Sequence, residues 1–99
     1  MLYSIHCLDQ ADKLQTRLDN YAAHRAHLNS TSTTIVLAGP IAAEDGETPI
    51  GSVFIVDVAN LAEAEQFNRN DPFYQLDVWD KSSIHIHPFL KLRGWVEGF

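Results

Sequence analysis

The chain has 99 residues, 45% hydrophobic and 20% charged, which fits one globular domain with a modest core and excludes a disordered chain. Thirteen Asp and Glu against seven Lys and Arg give a formal net charge of −6, and the cations are scattered from Lys13 to Arg93, so neither nucleic acid nor an anionic membrane is an expected partner. No apolar stretch approaches the ~18 residues of a membrane span, residues 1–5 carry no basic segment or cleavage pattern, and the lone Cys7 has no partner for an internal disulfide, so a cytoplasmic location is the expectation.

Residues 2–8 read as a first strand, with Cys7 as a small buried hydrophobe. Residues 9–12 make a polar turn in which Asp12 can cap the next element. From Lys13 to Asn29 the pattern is helical. Leu14, Leu18, Tyr21, Arg25 and Leu28 fall on one stripe, which is expected to face the core, with Arg25 snorkelling. Asp19 and Asn20 fit either the middle of one helix or the end of a short one, capping a second that begins at Tyr21.

Residues 34–38 are β-branched and read as a second strand that stops at Gly39-Pro40. An acidic turn occupies residues 42–49. Residues 51–58 form the third and strongest strand. Asn60, followed by Glu63, is close to a capping box and opens a helix that runs to about Asn68. Asp71 caps a short helix with Pro72 at its first position. Residues 83–87 alternate and read as a fourth strand ending at Pro88.

The order is therefore β-α-β-β-α-β. It predicts an α+β, ferredoxin-like split βαβ sandwich over residues 1–99, with a four-stranded antiparallel sheet and both helical segments on one face. The third strand is apolar on both sides, with Phe54, Val56 and Val58 on one and Val53 and Ile55 on the other. Nothing in so short a chain is expected to cover the second sheet face. A second copy is its simplest cover, giving a homodimer, and two sheets packed face to face make a dimeric α/β barrel.

Several short stretches taken together are distinctive. They are Met1-Leu2-Tyr3 with Asp9, Ala23-His24 with Leu28, Ala38-Gly39-Pro40, Gly51-Ser52, Asn70-Asp71-Pro72-Phe73 and Pro88-Phe89. In order and spacing the chain resembles the YciI-like, or YCII-related, family over nearly its whole length. The resemblance implies the fold just derived, a dimeric barrel, and a His–Asp dyad at His24 and Asp71. It also implies proton-transfer or elimination chemistry, since one relative removes chloride from a chlorinated hydroxyhydroquinone and the wider superfamily includes muconolactone isomerase. The chain departs from the family pattern in a shorter connection after the first helical region, in His27 where arginine is frequent, and in a tail beyond Lys91.

His24 lies about 80° from the centre of the apolar stripe, and Arg17 lies two turns earlier on nearly the same line. At that boundary an imidazole can reach a cleft and move protons. A satisfied surface histidine would look the same. Asp71 is accounted for as a helix cap, and an orienting carboxylate that favours the imidazolium can occupy the same place. Ser52 is a candidate ligand contact and a poor nucleophile without an adjacent base. Gly39, Pro40 and Phe73 complete the expected substrate wall. His85 and His87 point to one sheet face, where a metal would need a further ligand that His6 supplies only if the strand registers agree.

The expected function is small-molecule enzymology with His24 as general acid/base, with no cofactor and no metal. The alternative is a non-catalytic dimeric small-ligand-binding or sensor module.

Overall fold

The computed structural model describes residues 1–99. Its elements are β1 (Leu2–Leu8), α1 (Leu14–Asp19), α2 (Tyr21–Ser30), β2 (Thr34–Ala42), β3 (Pro49–Asp57), α3 (Leu61–Arg69), α4 (Pro72–Gln75), a 3₁₀ turn (Lys81–Ser83) and β4 (His85–Pro88). The four strands form one antiparallel sheet in the order β2-β3-β1-β4. This is the ferredoxin-like order expected of a split βαβ chain.

Alternation along the strands decides which residues are enclosed. On the helix side, Tyr3, Ile5 and Cys7 of β1 lie beside Phe54 and Val56 of β3, and all are buried. Ala64, Phe67, Phe73, Val78 and Trp79 close over them from α3, α4 and the segment that follows. Each large side chain enclosed in this way contributes about 1.5–3 kcal/mol relative to exposure. Gly51 lies where β3 passes close to the backbone of β1. A Cβ there would stand 2.3 Å from the Cys7 carbonyl oxygen, which leaves no room for any side chain.

Several elements differ from the sequence expectation. β2 does not stop at Gly39-Pro40 but runs on to Ala42. It is an edge strand, where the N–H that proline lacks is not required by a second neighbour. β3 begins at Pro49, two residues early. β4 begins at His85, because Ser82 and Ser83 wind into a turn capped by Asp80. Ser83 still ties this turn to β1 by accepting a hydrogen bond from the Leu8 N–H at 2.9 Å.

The first helical region is two helices broken at Asn20, and neither expected cap is made. Lys13 holds the N-cap position of α1 in place of Asp12, and the Asn20 amide turns back to the Thr16 carbonyl. Caps do form elsewhere. Asn60 accepts from the Glu63 N–H, and Glu63 reaches back to the Ala59 N–H. Asp71 accepts from the Phe73 N–H at 2.9 Å.

The larger correction concerns the helical stripe. Leu14, Leu18 and Tyr21 are 41–53% exposed and Arg25 is exposed too, while Arg17 and His24 are the buried residues of α1 and α2. This region turns its polar line toward the sheet because that line finds fixed partners there.

The opposite sheet face is only partly uncovered. The C-terminal segment folds back so that Phe89, Trp95 and Phe99 enclose a cavity of about 250 Å³ with Leu2, Leu37 and Ile55. The expectation that nothing in the chain covers this face is therefore corrected at one end. Leu8, Leu37 and Val53 remain 37–55% exposed.

Candidate active site

Three segments converge where α1 and α2 cross the start of β3. Arg17 comes from α1, His24 from α2, and Ser52 from β3 where it passes beneath them. With Tyr21, Arg25, Leu28, Ala38, Gly39, Pro40 and Phe54 they line a cavity of about 160 Å³. A larger groove of about 330 Å³ lies between α3 and β4 and is lined by Glu65, Arg69, Tyr74 and Lys81, but it contains no histidine. The smaller cavity is the one whose wall holds a histidine paired with a carboxylate.

His24 and Asp71 are in contact. Nδ1 of His24 stands 2.9 Å from Oδ1 of Asp71 and 2.8 Å from Oδ2, with the directed hydrogen bond going to Oδ1. Oδ1 also accepts the Phe73 N–H, so one carboxylate oxygen caps α4 and holds the imidazole. Asp71 is fully enclosed, and His24 keeps 8% exposure, at the cavity. An ionised carboxylate can only accept, so its bond with Nδ1 fixes the tautomer whose Nε2 carries a free lone pair. Nε2 makes no hydrogen bond within the chain.

Phe73 does not line the cavity. It is fully enclosed and stacks on the imidazole with ring centroids 4.2 Å apart and planes 8° from parallel. The Arg17 guanidinium also lies over its ring, 4.6 Å from the centroid. Phe73 thus packs against two polar groups behind the cavity and is not among the residues that line it, where the sequence had placed it. Gly39 and Pro40 do line the cavity, as does Ser52.

Arg17 and Asp9 are the residues that sequence reasoning left without a role. Arg17 Nε donates to Asp9 Oδ2 at 2.7 Å and Nη2 donates to Oδ1 at 2.9 Å, a two-point pair that fixes the guanidinium plane. Nη2 also donates to Ser52 Oγ at 2.8 Å. The available signal was the spacing: Arg17 stands seven residues before His24, two helical turns on one line. Trp79 is fully buried, and its indole N–H reaches Ser52 Oγ at 3.2 Å.

Cys7 lies in the adjoining core and is not a nucleophile. Burial pushes its thiol from the ordinary 9.0 up to about 12, partly offset by the Asn68 amide donating to Sγ at 3.4 Å. The folded chain keeps this thiol protonated where the unfolded chain ionises it. Its contribution to stability is therefore whole below about pH 9 and falls as pH rises toward 12. Urea unfolding midpoints should drop more for wild type than for Cys7→Ala between about pH 8 and about pH 10.5. Equal drops would mean that the thiol is already accessible.

The strand registers do agree for the other histidines. His6 pairs with His85, and the His85 and His87 rings stack 6.3 Å apart on the same sheet face. Even so, no three His, Cys, Asp or Glu side chains are placed to hold one metal ion.

The family model for the YCII-related domain matches residues 1–88. The chain belongs to the YCII-related family. Protein YciI of Escherichia coli O6:H1 is 32% identical over an alignment of 99 residues covering 93% of this chain and 99% of that protein, and protein YciI of Shigella flexneri matches equally. Among solved structures, 5-chloro-2-hydroxyhydroquinone dehydrochlorinase from Burkholderia phenoliruptrix AC1100, in complex with 2,5-dihydroxybenzoquinone, superposes with a TM-score of 0.79. It is 30% identical to this chain and the match covers 91% of this chain and 94% of that one. The fold of this YCII-related chain is therefore shared with an enzyme that holds a small oxygen-bearing ring. Residues 89–99, which cover part of the sheet, lie beyond the family match. No helix is long and apolar enough to cross a membrane.

Proposed function

We propose that this YCII-related chain is a small-molecule enzyme in which His24 moves a proton to and from a compact, oxygen-bearing cyclic substrate. The observation that carries this reading is the His24–Asp71 contact at the wall of a cavity, with Nδ1 occupied and Nε2 left without a partner in the chain. In this reading Nε2 removes a substrate proton as general base, and the resulting imidazolium is stabilised by the Asp71 carboxylate. The electron pair left behind passes into the ring. In an elimination it expels a leaving group, which departs with its bonding pair. In an isomerisation the imidazolium returns the proton to a different atom of the ring.

The lining supports an anionic or readily ionised substrate. Arg17 and Arg25 face the cavity and no carboxylate does, in a chain with nearly twice as many acids as bases. A volume of about 160 Å³ is small beside the ~300 Å³ at which drug-sized pockets begin, so a single ring is the appropriate scale. Gly39 and Pro40 supply a wall with little side chain on the edge strand, and Ser52 supplies a polar contact at its floor. Residues 1–99 act as one unit in this reading, and two copies associate through the part of the sheet face that the tail leaves open.

A screen of chlorinated hydroxylated phenols and small lactones, with wild type and His24→Ala side by side, tests the proposal. Turnover by wild type should fall about 10²–10⁴-fold in His24→Ala. A substrate turned over equally by both would remove His24 from the chemistry. Ligand binding without turnover by either would favour a binding module.

A further inference from the structure

Counting the hydrogen bonds at Ser52 leaves one proton over. A serine hydroxyl has one O–H to donate and two lone pairs to accept with. Arg17 Nη2 donates to Oγ at 2.8 Å and Trp79 Nε1 donates to it at 3.2 Å. A guanidinium and an indole N–H can only donate, so both lone pairs are engaged. No acceptor within the chain takes the Ser52 O–H. Ser52 is 2% exposed and its residue surface belongs to the cavity, so the remaining direction for that bond is into the cavity.

We infer that Ser52 is a donor-only contact that, with the Arg17 guanidinium behind it, binds an oxygen anion or carbonyl oxygen of the substrate. The inference rests on the proposed enzyme reading and makes it narrower. The two incoming N–H bonds, one of them from a cation, polarise the hydroxyl and make it a stronger donor. Asp9 holds Arg17 in a fixed plane, and Trp79 is locked in the core, so the donor is set before a ligand arrives. This is the arrangement that stabilises negative charge developing on an oxygen while a proton leaves a neighbouring atom. It also removes Ser52 as a nucleophile, because its lone pairs are taken and no hydrogen bond joins it to His24.

The substrate class follows. One ring oxygen sits at Ser52 as phenolate, enolate or carbonyl, while the atom that gives up its proton faces His24 Nε2. A substrate offering only an N–H or ammonium group at that position leaves two donors opposed and is rejected.

The test uses 4-nitrophenol as probe, because its absorbance reports its own ionisation. Wild type should bind the phenolate in preference to the phenol, so that the probe's apparent pKa falls on binding. Ser52→Ala should weaken phenolate binding about tenfold or more, and the pKa change should shrink with it. Ser52→Thr, which keeps the hydroxyl, should retain both. Near-UV circular dichroism checks that each variant keeps its packed core. Failure of wild type to bind the phenolate, or binding by Ser52→Ala with an unchanged pKa shift, overturns the assignment. The enzyme reading fails separately. A Ser52-dependent phenolate preference without His24-dependent turnover upholds the donor and removes the catalysis, while His24-dependent turnover without that preference does the reverse.

Discussion

Asp71→Asn should lower turnover about 10²–10⁴-fold and leave the fold in place. The carboxylate has two tasks on one oxygen: it caps α4 through the Phe73 N–H and receives Nδ1–H of His24. Asparagine has one oxygen and one amide nitrogen. Its oxygen continues to cap, since Asn is among the best N-cap residues. The same oxygen can go on receiving Nδ1–H, so what the substitution removes is the negative charge that stabilises the imidazolium. Nitrogen-15 NMR of the His24 ring separates the lost charge from simple damage, because it reads whether Nδ1 still carries the proton. A variant that keeps the Nδ1–H tautomer and undiminished turnover would reduce Asp71 to a cap. A variant that unfolds would be recognised from its lost near-UV signal, and His24→Gln, which leaves the cap untouched, then carries the test.

Much of the architecture was legible because alternation in a strand is hard to mistake. The alternation separated Phe54, Val56 and Val58 from Val53 and Ile55 but left open which set faces the helices, and Asp71-Pro72 gave the break between the last two helices. The helical stripe misled for a physical reason. Apolar periodicity assumes that the buried side of a helix is the oily one, yet here it is Arg17 and His24 that turn inward. That is affordable only because Asp9, Ser52 and Asp71 each meet them with a hydrogen bond. Those partners lie eight to 47 residues away in sequence, and no local pattern encodes them.

The same limit applies to Ser52 and Trp79, 27 residues apart, whose contact depends on the segment after α4 returning under β3. Pro40 misled in the opposite way. Read locally it ends a strand, but at a sheet edge it does not. The tail carries no period at all, so its return across Leu2 and Ile55 had no signature in the sequence. The candidate dyad was reached through a family resemblance, whereas the polar network around it became visible only in three dimensions.

In the proposed pairing of two copies, Val53→Asp should leave soluble monomer, weakening association by about 10³-fold or more. Val53 sits on β3, an inner strand, and faces away from the helices with 37% exposure. Gly39 is its neighbour on β2 and His6 its neighbour on β1, so no bulky apolar side chain from the adjacent strands shields it. The C-terminal segment reaches Leu37 and Ile55 but does not line its cavity with Val53. In the proposed pairing a second copy closes over this point and buries about 600–1,000 Å² per partner, the scale of a specific interface. An aspartate there loses its water, and two-fold symmetry imposes that cost on both copies. Because His6 lies opposite and can meet a carboxylate, Val53→Lys is the companion variant, which that histidine cannot neutralise. Val56, on the opposite face of the same strand, gives the contrast: it faces the core with no exposure, so Val56→Asp should unfold the chain and not merely separate it. Sedimentation velocity over the micromolar range reads the result, with near-UV circular dichroism confirming that the Val53 variants remain folded. A wild-type chain that sediments as a monomer throughout that range, or Val53 variants that dimerise as tightly as wild type, would mean that this face serves no second copy.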